Sequence, residues 1–327
     1  MISYTDYLQV IYTKNQRFEY MDIIPKETEI ILGKGTEWPL DGKITHSDSK
    51  TNIAAVLVHG SGSTDMDETI FDNKDFKDIA WGLSKHNIDT IRYDKRTFRY
   101  ATKIMEIGKI TVNEETIDDA IFAGRMMRDL GYKHVFLIGH SFGAMMGPTI
   151  IQESDDVFTG FISMAGSPRR LSDILISQSL SGINAIPEGT DKTQYLALLN
   201  AELQKFEKLE SISSEEAKSM KIFGVNAEYY LDLNSKDVVK IAQSLQIPML
   251  FLQGEEDFQV SLSEDYDKWK ELLNSRGNVQ FKSYPGLNHL FMISHGIPKR
   301  TIQEYAVKSV VSETVISDLA DFMKTNS

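Results

Sequence analysis

The feature that most constrains this chain is a repeated rhythm: a short apolar run, a glycine-containing turn, then a segment with helical periodicity. Six runs rich in Val, Ile, Leu and Phe follow it: IAAVLVHG (53–60), IDTIRYD (88–94), HVFLIGH (134–140), FTGFISMAG (158–166), IPMLFLQG (247–254) and VQFKSYPG (279–286). Runs of this kind read as strands buried on both faces, and helical crossovers between them dictate parallel pairing. The predicted fold class is therefore α/β, a mostly parallel doubly wound sheet. Ahead of the runs, TEIILGKGTEWPLDGKITH (28–46) alternates and turns at Gly-Lys-Gly and Asp-Gly, which predicts an antiparallel hairpin on the sheet edge.

Two helices are legible in detail. ETIDDAIFAGRMMRDLG puts Ile117, Ile121, Gly124 and Met127 on one face, with Gly131 as its C-cap, and SETVISDLADFMKT does the same with Val315, Leu319 and Phe322. Between Ser167 and Gln246 the rhythm breaks. That stretch offers helical patterns such as QYLALLNAELQKFEKLES, where Leu199, Leu203 and Phe206 share a face, and no convincing strand. It reads as a helical cap inserted into the sheet domain. The expected organisation is residues 1–167 and 246–327 as two parts of one core, with 168–245 as the cap; at 327 residues, one α/β core plus an insertion fits the length.

Composition narrows the partners. A net charge of -12 leaves no basic surface for neutralising phosphates, so nucleic acid is excluded as an expected partner. With no cysteine, neither disulfides nor thiolate metal sites can form, which fits a reducing compartment. The opening MISYTDYLQVIYTKNQRFEYMD lacks the apolar stretch of a secretory signal, and no apolar run is long enough to span a membrane. A soluble, cytoplasmic protein is the expectation.

The chemistry concentrates in FLIGHSFGAMMG (136–147), where a predicted strand ends in Gly139-x-Ser141-x-Gly143 and a helix begins. That is the pattern of a nucleophile elbow, in which a tight turn projects the serine hydroxyl above the sheet edge. A serine hydroxyl is a poor nucleophile at neutral pH; it needs an imidazole to take its proton and a carboxylate to orient that imidazole. In this fold the chain order is serine, acid, histidine. Of seven histidines only His289 and His295 follow Ser141, and His289, in SYPGLNHLF directly after the last strand, is the better placed. The loop after the preceding strand, GEEDFQV, offers Glu255, Glu256 and Asp257, with Asp257 the leading candidate and Glu256 the reserve.

A tetrahedral intermediate also needs amide donors for its oxyanion, each worth about 3 kcal/mol. The Phe142 N–H is one candidate; the loop His59-Gly60-Ser61-Gly62 supplies the second, at Ser61 or alternatively Gly62. His59 reads as structural, orienting that loop. Asp94 and Arg96 in YDKR read as braces for the loops around the site. In the cap, Phe223, Tyr229 and Tyr230 form an apolar cluster and are candidate substrate contacts.

Taken together, LVHGSGSTDMDE, IRYDKR, GHSFGA, FLQGEEDFQV and YPGLNHLF resemble, in this order, the motifs of the α/β-hydrolase superfamily, from about residue 28 to the C-terminus. Within it the chain resembles bacterial carboxylesterases related to the serine aminopeptidase and dienelactone hydrolase groups. The resemblance implies an α/β-hydrolase fold with Ser141 as nucleophile, Asp257 as acid and His289 as base. One departure is Thr97-Phe98-Arg99-Tyr100 where relatives often continue Tyr-Asp-Lys-Arg with a glycine, which implies a bulkier loop beside the site.

The expected activity is cleavage of carboxylic esters through an acyl-enzyme, without metal or organic cofactor. The same triad also serves a peptidase or amidase of the serine aminopeptidase type, or an acyltransferase. A hydrolase fold that binds a ligand without turnover is the remote alternative. Dehalogenase chemistry wants a carboxylate at position 141. The expected partner is a small-molecule ester; oligomeric state stays open, a dimer being one option.

Overall fold

The structure is a computed structural model and describes residues 24–295 and 301–327, so the reading of the opening segment lies outside the described residues. All six predicted strands form, with ends trimmed by a residue or two. Labelled in chain order, the strands are β1 (Glu27–Leu32), β2 (Leu40–Thr45), β3 (Ile53–Val58), the short pair β4 (Thr69–Ile70) and β5 (Asn73–Lys74), and β6 (Asp89–Tyr93). They continue with β7 (His134–His140), β8 (Gly160–Met164), the short pair β9 (Lys221–Ile222) and β10 (Val225–Asn226), β11 (Met249–Gly254) and β12 (Val279–Tyr284).

Eight strands make one sheet in the order β1-β2-β6-β3-β7-β8-β11-β12. From β6 to β12 every pairing is parallel, while β1 and β2 attach antiparallel at one edge. The predicted hairpin is therefore present, but Asp41-Gly42 is not one of its turns. Both residues lie inside β2, where a side chain on Gly42 would sit 2.8 Å from the Arg92 carbonyl oxygen. Glycine is there for a close approach between strands.

Both faces are covered, as the continuous apolar runs require. Along β3, Ala54, Val56 and Val58 join one core cluster with Ile121, Met127, Met146 and Ile150, whereas Ala55 and Leu57 join the other with Phe76, Ile79, Ile316 and Leu319. The period of two sends alternate residues to opposite layers. The helix Asp118–Asp129 continues from a wide π turn at Asn113–Ile117, and buries Ile121, Gly124 and Met127 as the spacing predicts. Gly131 follows it at φ 97°. On the other face Glu313–Thr325 buries Val315, Leu319 and Phe322.

Between β8 and β11 lie the helices Leu171–Ala185, Thr193–Lys208, Ser214–Ser219, Ala227–Asn234 and Val238–Ser244. The sequence predicts no strand here, yet β9 and β10 form a small antiparallel hairpin. Two-residue strands carry no alternation to read. Their signal is the turn, with Phe223 at φ 47° and Gly224 at φ 82°.

The chain runs from β3 outward to β6 and then returns to the other side of β3 for β7. At such a reversal the loops leaving the C-terminal strand ends diverge and open a crevice. The loops after β3, β6 and β7 meet there, and those after β11 and β12 reach it from the far side.

Candidate active site

Ser141 lies between the end of β7 and the helix Phe142–Glu153, at φ 51° and ψ -113°. Positive φ at a residue with a side chain is strained, and it persists only where the surroundings fix it. Here the Ser141 amide donates to the Met164 carbonyl at 2.9 Å, and the Ser141 carbonyl accepts from the Met145 amide at 2.9 Å. The flanking glycines are steric necessities. A side chain on Gly139 would meet the Gly143 carbonyl at 2.5 Å, and one on Gly143 would meet the Val58 oxygen at 2.3 Å.

The loops after β11 and β12 bring Asp257 and His289 together. His289 Nδ1 donates to Asp257 Oδ2 at 2.7 Å, and both residues are buried. The carboxylate is pinned by three further donors: Gln253 Nε2 at 2.9 Å, the Gln259 amide at 2.8 Å and the Val260 amide at 3.0 Å. This fixes the ring's tautomer and leaves Nε2 as the open nitrogen. Nε2 makes no hydrogen bond among the described residues, to Ser141 Oγ or to anything else. Of the other candidates, Glu255 accepts from Ser283 Oγ at 2.8 Å, and His295 is exposed.

Ser141, Ser61 and Phe142 share the lining of a cavity of about 90 Å³, whose other walls include Met145, Leu171, Ile174, Leu175, Gln178 and Val260. Gly60 passes so close to the serine that a side chain there would lie 3.1 Å from Ser141 Cβ. The loop carrying it is braced as expected. His59 Nε2 donates to the Asp65 carbonyl at 3.0 Å, and burial pushes this imidazole down to about 4. Asp94 Oδ1 accepts from the Met66 amide at 2.9 Å, and Arg96 holds Asp119 through two bonds of 2.6 and 3.1 Å.

Behind the serine sits a buried charged cluster that the sequence does not announce. His140 Nδ1 faces Glu68 Oε2 at 3.1 Å and Asp75 Oδ2 at 3.7 Å, while its Nε2 donates to the His289 carbonyl at 3.0 Å. Burial alone disfavours an imidazolium, but the Glu68 and Asp75 carboxylates outweigh it and push His140 up to about 9. For Glu68, burial is likewise overcome, chiefly by His140, and its carboxyl is held below the usual range. Asp75 goes the other way, raised well above the usual range by burial and by the Glu68 charge. These three are a set of described residues whose ligand atoms would suit a metal ion. With both ring nitrogens engaged as donors, the set reads instead as a proton-holding cluster.

Phe223, Tyr229 and Tyr230 do not line the cavity beside Ser141. The Tyr229 hydroxyl donates to Glu115 Oε2 at 2.6 Å, the Tyr230 hydroxyl to the Ile222 carbonyl at 3.2 Å, and Phe223 packs on Phe206 with ring centroids 6.1 Å apart. The wall facing Ser141 comes from the helix Leu171–Ala185, through Leu171, Ile174, Leu175 and Gln178. A helical segment has one face for its own packing and one for the cavity, and composition does not tell them apart.

The sheet, its flanking helices and the serine elbow define an α/β-hydrolase fold. The sequence signature of the family described as serine aminopeptidase, S33, matches residues 54–294, and the chain belongs to that family within the α/β-hydrolase superfamily. It is 34% identical over 321 residues to Esterase EstD of Thermotoga maritima, covering 96% of this chain and 72% of that protein. Among solved structures, an esterase of Pyrococcus furiosus matches with a TM-score of 0.57 at 15% identity, covering 92% of this chain and 91% of its own. Est1E from Butyrivibrio proteoclasticus matches with a TM-score of 0.55 at 13% identity over 91% of this chain and 98% of its own. An acylaminoacyl peptidase of Pyrococcus horikoshii matches with a TM-score of 0.56 at 15% identity, over 98% of this chain and 43% of its own. These three similarities concern the fold alone. The chain is thus a hydrolase by family. Among the described residues no helix is long and apolar enough to cross a membrane.

Proposed function

We propose that this protein hydrolyses carboxylic esters of small acids through an acyl-enzyme on Ser141. The observation that carries this reading is the 2.7 Å bond from His289 to Asp257, with the His289 ring 4.7 Å from that of His140, the residue before a serine held at positive φ. Ser141 Oγ attacks the ester carbonyl as His289 Nε2 takes its proton, and Asp257 steadies the imidazolium through Nδ1–H. The amides of Phe142 and Ser61 receive the oxyanion. Collapse of the tetrahedral intermediate breaks the bond to the alkoxy oxygen, which takes the proton from His289 and leaves as alcohol. Water, deprotonated by the same nitrogen, then adds to the acyl carbonyl; collapse breaks the bond to Ser141 Oγ, which takes the proton back from His289, and the acid is released.

Two features favour esters of short, neutral acids over other substrates of the same triad. The chain's 34% identity to an esterase extends over nearly its whole length. The cavity beside Ser141 holds about 90 Å³ and is lined by aliphatic, aromatic, hydroxyl and amide side chains without a charge. An aminopeptidase needs a carboxylate to hold the substrate's α-ammonium group, and this wall offers none. In this reading residues 168–245 act as a cap over the acyl site, with the helix Leu171–Ala185 as its working face.

The test is a p-nitrophenyl ester series from acetate to long chains, run with wild type beside Ser141→Ala. Wild type is expected to favour the short esters, and the variant to lose about 10⁴-fold or more in kcat. Equal activity of the two proteins would remove Ser141 from the mechanism. Inactivity of wild type on every ester, with turnover of an aminoacyl amide, would move the assignment to peptidase chemistry.

A further inference from the structure

Lys95 stands in the middle of the YDKR segment, yet it has no part in the reaction just described and does not line the cavity. It is 2% exposed. Burying an ammonium is expensive unless it is paired and fully hydrogen-bonded. Its Nζ donates to the Gly60 carbonyl at 2.8 Å and pairs with Glu115 Oε1 at 2.7 Å. The same ammonium lies 5.9 Å from the centre of the Phe142 ring.

The acceptor matters because of peptide geometry. The Gly60 carbonyl and the Ser61 N–H belong to one planar unit and point in opposite directions, so fixing the first aims the second. A cation on the carbonyl oxygen also polarises the unit and makes its N–H a stronger donor. Gly60 sits in tight quarters, since a side chain there would meet Glu68 Oε1 at 3.0 Å and Ser141 Cβ at 3.1 Å. A glycine has no side chain with which to fix its own backbone, so its peptide groups are held from outside. Glu68 Oε1 holds its amide at 2.6 Å, and Lys95 holds its carbonyl.

The grip on Lys95 extends outward. Glu115, in the π turn Asn113–Ile117, spends one oxygen on Lys95 and the other on the Tyr229 hydroxyl at 2.6 Å. Tyr229 is buried on the helix Ala227–Asn234, in the helical segment between β8 and β11. A continuous line of bonds runs from that segment through Tyr229, Glu115 and Lys95 to the carbonyl side of the Gly60-Ser61 peptide.

We propose that Lys95 is a positioning residue for the oxyanion hole, aiming the Ser61 amide by holding the Gly60 carbonyl, and that Glu115 and Tyr229 tie this aim to the helical segment. The inference rests on the proposed roles of Ser141 as nucleophile and the Ser61 amide as oxyanion donor. Tyr229 then serves the site through a bond chain, without touching substrate.

The experiment pairs Lys95→Met with Glu115→Gln, so that neither charge is left buried alone, and adds Tyr229→Phe as a mild perturbation. Three readouts are taken: p-nitrophenyl acetate kinetics, the rate of covalent labelling by a fluorophosphonate, and the thermal midpoint. The double variant is expected to keep KM within about twofold, while kcat and the labelling rate both fall about 10- to 100-fold, a fraction of the effect of deleting a donor outright. Tyr229→Phe is expected to lower both rates a few-fold at unchanged KM. A folded double variant with wild-type kcat and labelling rate would overturn the proposal, and so would a change confined to KM. If the double variant does not fold, Tyr229→Phe decides by the same criteria. Wild type that resists the fluorophosphonate, or Ser141→Ala that turns over like wild type, overturns the underlying serine reading instead.

Discussion

Two carboxylate–histidine pairs lie side by side at this site, their rings tilted at 48° with centroids 4.7 Å apart, and they are built for opposite tasks. Asp257 and His289 share one bond, through Nδ1, and leave Nε2 without a hydrogen-bond partner among the described residues. Glu68 and His140 use both ring nitrogens, because the second donates to the His289 backbone carbonyl. An imidazole with both nitrogens committed as donors holds its proton and cannot act as a base. One with a single commitment has its tautomer set and a lone pair to spend. A carboxylate and an imidazole therefore give a ring able to accept a proton, as the proposed mechanism asks of His289, in one place and a fixed cation in the other. The cation also joins the end of β7, the loop after β3 and the His289 loop, since Glu68 also accepts from the Gly60 amide.

That contrast can be broken from either side. The largest effect is expected from Asp257→Asn, which keeps the shape of the Asp257–His289 pair but, in the proposed mechanism, presents the wrong tautomer; kcat should fall about 10⁴-fold with the thermal midpoint near wild type. Wild-type turnover in that variant would mean that the second pair, or another carboxylate, does the orienting.

His140→Gln is expected to act on stability before activity. It removes the imidazolium between two buried carboxylates and should cost about 3–5 kcal/mol in urea unfolding. The pH dependence sharpens this. His140 is pushed up from its ordinary 6.5 to about 9, so its stabilising contribution is complete below about 6.5 and is lost as pH rises through about 9. Asp75, raised above its usual range by burial and by Glu68, works in the same direction, its contribution fading as pH rises above the ordinary carboxylate range. Glu68, held low mainly by His140 against its burial, matters at acid pH instead, where its contribution is lost as it protonates. Wild type should therefore unfold more easily at pH 9.5 than at pH 6.5, and the variant should show a flatter profile. Parallel profiles for the two proteins would place the pH sensitivity elsewhere.

The smallest effect concerns the two faces of the helical segment. Ile174→Ala, on the cavity wall, should raise the rate on longer acyl chains relative to acetate by a few-fold. Phe223→Ala, packed on Phe206 away from the cavity, should leave the chain-length profile unchanged. A shift in the second variant would return Phe223 to the acyl site.

Much of this architecture is legible in the chain because its signals are local. A doubly buried strand must be apolar throughout, so β3, β7 and β11 stand out; a strand-to-helix turn this tight must have glycines at fixed offsets, so Gly139, Ser141 and Gly143 stand out. Asp257 and His289 follow from chain order and from their place after the strands. Glu68, Asp75 and His140 give no such signal, because they are 72 and 65 residues apart in sequence or carry an ordinary acidic spacing. Lys95 is visible only as a charge beside two others.

The sequence by itself determined the parallel sheet, the tight turn at Ser141 and the residues proposed as the triad, since each depends on the spacing of neighbours along the chain. Only the tertiary structure decided which of His140 and His289 keeps a free nitrogen, which residues between β8 and β11 face the cavity, and that Lys95 is buried against the Gly60 carbonyl. These depend on groups brought together from distant loops, where burial and the partners within about 3 Å set protonation and orientation, and a linear pattern carries neither.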